Sequence, residues 1–502
     1  MRCLSRTLAL LRQLACVAVL AALPGIATAG DASEAAQRRS DSSIRRVWPV
    51  ALTGLREVAP IFCETAGCGV GSTATSASYR GTSLPFIRIG PHGDIYLADS
   101  YGSQPIRVVG VDGRIKRVIR PRVPVGRLAV ASDDRIAYSD RATPTVIREI
   151  SPSGHERIVA GDHATSADTY GDYCKCGDGG SARRARLVDV NDIAFDPQGR
   201  LVIADTGHSR IRRIALDGRI EAIVGVGVPC AKDSAGKPCS PAGTPAKDAY
   251  IKDPIALAFG PDGTLWFTNL RYAEPEQVLH VSRGGLLEFV AEADSLKIPF
   301  NQLAVTPDGR AVTLVTADGH RPHLARFDPA ASTMTTIFGA LAPTGCMTRA
   351  VALTCGDGLS GPSASVDSTT GSFAIDRFGG LYLATIGNEI RYLPPAGRPA
   401  IRLGLVLRAA YPDEIRHGHS LSIRYRVSSP DARITLRIAR KGAKRPIISD
   451  LPGSATGHKA GTLHWNGTLN GKRAAVGSYL IEVTARSRGR IATRQLVVGV
   501  RR

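Results

Sequence analysis

Four close pairs of cysteines follow a short basic and apolar leader: Cys63/Cys68, Cys174/Cys176, Cys230/Cys239 and Cys346/Cys355. The second member of each pair opens a gapless 12-residue phrase: CGVGSTATSASY, CGDGGSARRARL, CSPAGTPAKDAY and CGDGLSGPSASV. An even number of cysteines in an exported chain favours disulfides closed within each short loop. Zinc is the competing chemistry, but Cys-x-Cys and Cys-x8-Cys lack a second ligand pair at standard spacing. Cys174 and Cys176 are the awkward pair, because a bridge across one residue is strained.

Carboxylates form the second chemical pattern. Asp99, Asp140 and Asp205 each end an apolar run, and Asn269 and Thr385 hold that place in two further runs. Paired carboxylates suit general acid–base work. Recurrence in unit after unit instead suits a cap on the following turn, made through the residue's own backbone amides. The acidic stretch Asp162–Asp178 has calcium-like composition but not the spaced ligands of a known calcium loop. The 11 histidines, His92, His155, His163 and His208 among them, scatter over turns without repeating a position. No GxSxG, HExxH or phosphate-cradling glycine loop is present.

The elements that carry these residues repeat. Asn191–Gly225 reads NDIAFDPQGRLVIADTGHSRIRRIALDGRIEAIVG, and related phrases begin at Phe86, Leu128, Ile255, Gln302 and Gly371. Each unit holds short β-type runs separated by Gly and Asp turns, the mark of a propeller blade. The first-turn landmarks are Gly93, Asp134, Gly199, Gly263, Gly309 and Gly379, at intervals of 41, 65, 64, 46 and 70 residues. Only the three long intervals contain cysteine pairs, so the pairs belong to insertions between blades.

The last repeat shows three strands (373–375, 381–385 and 389–393) before Pro394-Pro395. The segment Leu52–Pro60 is expected to supply the fourth and close the ring, leaving no open sheet edge. An antiparallel meander then puts the tight turns on one side of the disc. The cysteine insertions share the other side with the loops after the second strands. Long polar loops on a rigid scaffold are where recognition is expected. The candidate binding residues on that face are Asp99, Tyr101, Asp140, Asp205, His208, Asn269, Arg271, Tyr272 and His320.

The phrases IADTGHSRIRRI and CGDGGSARRARL resemble NHL repeats. The cysteine-plus-GDGG insertions resemble the NHL propeller of teneurins and bacterial teneurin-like proteins, over residues 48 to about 397. No Tyr-Asp repeat shell follows, so functions tied to that shell do not carry over. NHL propellers include lyases whose zinc is held by histidines near the ring axis, commonly at the start of the first strand. Here those places are taken by Phe86, Asn191, Pro254, Asn301 and Gly371.

Composition changes after Pro399. LSIRYRVS, ARITLRIARK, GTLHWNGTLNGKRAAVGSYLIEVTARS and TRQLVVGV alternate as strands of a small sandwich. The phrase with Trp465, Asn466-Gly467, Gly471 and Gly477-Ser478-Tyr479 resembles the FlgD-type Ig-like domain. Ile423, Tyr425 and Val427 alternate with Arg424 and Arg426, while Ile434, Leu436 and Ile438 alternate with Arg433 and Arg437. The arginines are thus expected on exposed faces.

At the N-terminus, Arg2, Arg6 and Arg12 precede the apolar stretch Leu14–Leu23, and Ala27-Thr28-Ala29 fits a signal cleavage site. The stretch is too short to span a bilayer. With those three arginines set aside, the 64 basic residues fall to 61 against 44 acidic. Residues 398–502 hold 21 basic and 5 acidic residues, leaving the rest of the mature chain near neutral. Attraction to polyanions is therefore expected of this segment alone.

The organisation expected is a signal peptide at 1–29, a flexible linker at 30–46, a six-bladed NHL-type β-propeller at 47–397 and a FlgD-type Ig-like β-sandwich at 398–502. The function expected of this all-β chain is secreted, non-catalytic binding or scaffolding, without cofactor or membrane span. The propeller would meet an extracellular protein or glycan, and the basic domain an anionic cell-envelope polymer. The rival is an extracellular lyase or lactonase acting in the central channel.

Overall fold

The computed structural model describes residues 48–51, 85–99, 105–161, 176–230, 239–269, 276–293, 302–315, 323–328, 333–339, 372–385, 389–395, 402–411, 414–416, 419–441, 449–452 and 460–501. Within them the regular structure is β-strand with three single-turn 3-10 helices. Strands β2 to β24 and β1 (Trp48–Ala51) form six four-stranded antiparallel sheets.

The first sheet holds β2 (Pro85–Ile89), β3 (Ile95–Asp99), β4 (Ile106–Val109) and β5 (Ile115–Ile119), and the second β6 (Val125–Val130), β7 (Ile136–Asp140), β8 (Ile147–Ile150) and β9 (Glu156–Ala160). The third comprises β10 (Val190–Phe195), β11 (Leu201–Asp205), β12 (Arg210–Ile214) and β13 (Ile220–Val224). The fourth comprises β14 (Pro254–Phe259), β15 (Leu265–Asn269), β16 (Glu276–Val281) and β17 (Leu287–Ala293). The fifth follows with β18 (Leu303–Val305), β19 (Ala311–Val315), β20 (His323–Asp328) and β21 (Thr333–Phe338). The sixth has β22 (Ser372–Ile375), β23 (Leu381–Thr385) and β24 (Glu389–Leu393), and β1 pairs antiparallel to β24 as its fourth strand.

The first strands of the sheets, β2, β6, β10, β14, β18 and β22, touch in cyclic order, β22 returning to β2. The sheets therefore surround a common axis. Apolar clusters fill the gaps between neighbours, as where Val202, Ala204 and Ile211 of the third sheet meet Leu257, Phe267 and Leu279 of the fourth. Five of the six first-turn landmarks are glycines at φ 76–87°, a region that disfavours side chains, and Asp134 adopts φ 64° in the sixth.

The closing strand comes from the N-terminal side, but from Trp48–Ala51 rather than the expected Leu52–Pro60. Residues 52–60 lie outside the described set. The strand is short because pairing runs only from Trp48 opposite Tyr392 to Ala51 opposite Ile390, with a register shift between.

The C-terminal residues build two sheets over one buried apolar cluster. The first joins β25 (Leu405–Tyr411), β27 (Leu421–Val427) and β30 (Ala460–Trp465). The second joins β26 (Glu414–Arg416), β28 (Arg433–Arg440), β29 (Ser449–Pro452), β33 (Gly477–Ser487) and β34 (Arg490–Arg501). A two-stranded ribbon, β31 (Thr468–Leu469) and β32 (Lys472–Arg473), completes the set. The alternation read in the sequence holds here. Ile423, Tyr425, Val427, Ile434, Leu436 and Ile438 are buried, Arg424 and Arg433 are exposed, and Arg426 and Arg437 are half-buried.

This C-terminal unit is built into the ring rather than tethered to it. In β25, Leu405 and Leu407 enter the C-terminal cluster, while Val406 between them joins Ile87, Ile95 and Tyr392 in the ring. A strand presents alternate residues to opposite sides, so one short segment serves both cores. Arg402, 2% exposed, donates from Nη1 to Gly110 O and from Nη2 to Gly93 O, both at 2.6 Å, and from Nε to the Tyr382 hydroxyl at 3.2 Å. The Ile491 amide donates to Asp112 O at 2.8 Å. All these contacts lie on the tight-turn side of the sheets.

Candidate functional site

On the opposite side, the third sheet carries the densest polar constellation. Asp205 closes β11, and the 3-10 turn Thr206–His208 follows. The turn approaches the preceding insertion so closely that a Cβ on Gly207 would lie 2.3 Å from Val188 Cγ1. Asp205 Oδ1 accepts the Val188 amide at 2.8 Å, and Oδ2 accepts Arg212 Nη1 at 3.1 Å and meets His208 Nδ1 at 2.9 Å. His208 Nε2 lies 3.3 Å from Cys176 Sγ. Arg212, with no exposed surface, also pairs with Asp178 Oδ1 and donates to Cys176 O and Arg186 O. Arg210 Nη1 adds a second bond to Asp178 Oδ2 at 3.0 Å.

Sulfur, imidazole and carboxylate in a row have the geometry of an activated thiol. Cys176 is disulfide-bonded, however, so it offers no thiolate. His208 is 2% exposed and Asp205 fully buried, which closes the group to a substrate. The chemistry available is structural, with the insertion phrase clamped onto β11 and β12 through charge-assisted bonds.

The capping expectation changes accordingly. Asp205 does not cap its own turn, because its acceptors are spent on Val188, Arg212 and His208. Asn269 acts alike through an uncharged oxygen, accepting the Lys252 amide at 2.9 Å. Asp140 is the one that caps as expected, accepting the amides of Ala142 at 2.9 Å and Thr143 at 3.3 Å. His208, expected on the loop face, is buried against Asp205. Asp178, the last acid of the stretch weighed for calcium, is taken by Arg210 and Arg212. Asp140, Asp205, His208 and Asn269 are all buried. Asp99 ends β3 opposite Pro85, and Tyr101, Arg271, Tyr272 and His320 lie outside the described residues.

Cys230 and Cys239 form a disulfide within the insertion before the fourth sheet. Cys63, Cys68, Cys174, Cys346 and Cys355 lie outside the described residues.

The ring axis is the second polar region. β-Bulges displace the first strands at Gly126–Arg127, Asn191 and Ile255–Ala256, a device that re-aims side chains. Gly126 is required there, since a Cβ would meet Ser139 Oγ at 2.6 Å. Arg88 on β2 reaches across β6 to Asp192 on β10 at 2.9 Å. Asp192 Oδ2 also accepts the Leu257 amide at 3.0 Å. Burial pushes the Asp192 carboxyl up, opposed by Arg88 and the Leu257 amide. Arg127 donates to Asn191 Oδ1 at 3.3 Å, and burial lowers its pKa. On the far side Gln302 donates to Ser372 Oγ at 2.9 Å and accepts the Phe373 amide at 2.7 Å. The Ile87 amide donates to the same Ser372 Oγ at 2.9 Å.

Of the five strand-start positions read in the sequence, Phe86, Asn191 and Pro254 are described, and Asn191 is part of this axial network. Arg88, Arg127, Asp192, Gln302 and Ser372 were missed. Their signal is the polar residue interrupting an otherwise apolar first strand. Just before β10 and β14, at equivalent places in neighbouring repeats, stand Asp189 (φ 52°) and Asp253 (φ 43°). Among the described residues no group of three or more His, Cys, Asp or Glu has an arrangement that could hold a metal ion.

No family model matches the chain. It is 30% identical over 268 residues to teneurin-3 of Danio rerio, covering 46% of this chain and 10% of that protein. It is 33% identical over 82 residues to teneurin-1 of Homo sapiens, covering 16% of this chain and 3% of that protein. The chain thus spans about a tenth or less of the curated relatives it matches. Among solved structures it resembles a Bacteroides thetaiotaomicron protein of unknown function at TM-score 0.43 and 13% identity, covering 70% and 76% of the two chains. Virginiamycin B lyase of Staphylococcus aureus follows at TM-score 0.37 and 16% identity, covering 62% and 95%. At this level of similarity neither structure carries an argument about activity. The chain is an all-β, propeller-like protein with modest homology to teneurins. No helix among the described residues is long and apolar enough to cross a membrane.

Proposed function

We propose that this is an exported, non-catalytic binding or scaffolding protein: a six-bladed NHL-type propeller of the teneurin-like subtype carrying a basic FlgD-type Ig-like domain. The observation that carries the reading is the side on which the C-terminal unit sits. Arg402, Asp112 and Ile491 spend the tight-turn side on contacts within the chain. The loop side, with its clamped and disulfide-closed insertions, is left for an extracellular protein or glycan.

The exposed arginines of the C-terminal sheets, Arg424, Arg433 and Arg486, support a second contact with an anionic envelope polymer. The axial polar groups of the described ring are largely spent on one another, which favours binding over lyase or lactonase chemistry in the channel.

The test is retention of the mature chain on anionic cell-wall material and on a heparin-like column. Retention should weaken steeply with salt, since exposed charges are screened beyond about 10 Å at roughly 0.1 M. An Arg424→Glu/Arg433→Glu variant should elute earlier. Equal elution of variant and parent, or no retention at low salt, would leave the charge as a solubilising surface.

A further inference from the structure

Sheets arranged around a common axis diverge outward, so the wedge between their outermost strands is either filled or open to solvent. Between the second and third sheets the insertion turn Ala182–Arg184 fills it. The Ala182 carbonyl accepts the Gly161 amide at 3.1 Å, its amide donates to Gly218 O at 2.9 Å, and its side chain joins the apolar cluster shared by the two sheets. The turn Ala246–Asp248 does the same between the third and fourth sheets, Ala246 accepting the Gly225 amide at 2.9 Å and donating to Gly285 O at 2.8 Å. No insertion separates the first and second sheets, whose landmarks Gly93 and Asp134 are 41 residues apart. There the wedge stays open as a cleft of about 440 Å³ between β5 and the β8–β9 turn, within the roughly 300–1,000 Å³ typical of small-ligand sites. At its edge, nothing lies within 4 Å of where a Cβ on Gly154 would stand.

The charges that line the cleft are unequal. Glu156 is spent, accepting the Tyr138 hydroxyl at 2.8 Å and the Arg122 amide at 3.1 Å, with Arg148 at 3.6 Å. Lys116 is neutralised by Asp94 at 2.9 Å. Arg117 reaches the Pro152 carbonyl at 3.5 Å and has no acidic partner among the described residues. Arg120 is exposed and has no partner at all among them. Beside these two guanidiniums, Val118, Ile119, Ile150 and Pro152 supply an aliphatic surface. We infer that this rim cleft binds an acidic sugar, its carboxylate or sulfate held by Arg117 and Arg120 and the C–H face of its ring laid on the aliphatic surface. A guanidinium fork matches either oxyanion. A bare acidic side chain would leave the aliphatic surface uncovered. The site uses neither the loop-side insertions nor the arginines of the C-terminal sheets, so it gives the ring a glycan contact of its own.

The test is calorimetric titration at neutral pH and low salt, with the chain carrying Arg424→Glu/Arg433→Glu so that the C-terminal contact is suppressed. Tetragalacturonate presents carboxylates, a heparin-type tetrasaccharide presents sulfates, and maltotetraose is the neutral control. At least one charged tetrasaccharide should bind at a single site, and maltotetraose should not. Arg120→Ala should weaken that binding about fivefold, the loss of one partly exposed charged contact. Ser153→Glu, which sets a carboxylate on the opposite edge of the cleft, should weaken it further. Both positions are exposed, so both variants should melt at the parent's temperature. No binding by either charged sugar, equal binding by maltotetraose or by a tetraglutamate peptide, or unchanged affinity in either cleft variant would overturn the site.

Discussion

Arg212 is the largest charged side chain with no exposed surface among the described residues, and two carboxylates, Asp205 and Asp178, hold it. The sequence makes Arg210 and Arg212 look like solvent-facing partners of Ile211, because period-two alternation is the only local signal. The acid that reverses this, Asp178, is 34 residues away in an insertion. A buried pair is costly to break from one side, so Arg212→Ala should lose about 3–5 kcal/mol in chemical denaturation. Asp205→Asn should lose less, since an amide oxygen can still accept the Val188 amide, as Asn269 accepts that of Lys252. Equal losses would mean that charge rather than the backbone clamp governs the corner. Asp253 gives the opposite sign. Its carboxyl is raised from 3.8 to about 6, so between those values the folded chain binds more protons than the unfolded one. Stability then falls as pH rises from about 4 to about 6 and levels off above. Asp253→Asn should gain roughly 1–3 kcal/mol over the parent at pH 7 and nothing near pH 3.5, measured by urea unfolding at both values.

At the scale of elements, the repeats were legible because each sheet writes the same turn glycine and the same apolar alternation. The six glycine or aspartate landmarks all occupy positive φ. Ring closure was legible in kind but displaced in position. A four-residue strand carries too little periodicity to be found, and only the unfilled place beside β24 pointed to it. Deletion of residues 47–51 should expose that edge and the apolar face of the sixth sheet. The truncated chain is expected to aggregate or to lose cooperative thermal unfolding; a melt like that of the intact mature chain would show the strand to be dispensable. The insertion staple is a smaller effect. Cys230 and Cys239 are nine residues apart, and closing so short a loop contributes at most about 2 kcal/mol. The Cys230→Ala/Cys239→Ala pair should therefore fold with a modestly lowered melting temperature, and non-reducing peptide mapping of the parent should recover the two peptides linked. Free thiols at those two positions would remove the staple from the account.

At the scale of the whole molecule, composition places a boundary at Pro399, and the strands beyond it do have their own core. What composition cannot carry is the shared segment. Arg402 and Val406 look like ordinary members of a basic, alternating segment, yet they face the ring, because Arg402 is held by the carbonyls of Gly93 and Gly110 some three hundred residues earlier and Val406 by Ile87, Ile95 and Tyr392. An arginine buried this fully satisfies turn carbonyls that strands cannot reach, and stacks its guanidinium over the Tyr382 ring at 5.4 Å. Burial in turn pushes the Tyr382 hydroxyl up to about 12, so it stays protonated at neutral pH. The second tie is backbone alone: Gly113 lies so close that a Cβ there would come within 2.2 Å of Ile491 O. Two substitutions thus probe one joint by different physics. Arg402→Ala removes the donor to Gly93 O and one of the two donors to Gly110 O, and Gly113→Ala forces the two units apart while also straining a residue at φ 85°. The parent should unfold in a single calorimetric transition, because its cores interlock through β25. Each variant should split that transition in two, with the C-terminal sheets melting separately from the ring, and salt-sensitive retention on an anionic column should persist in both. A single transition in both variants, at the parent's temperature, would show that Val406 and β1 hold the units together without these ties.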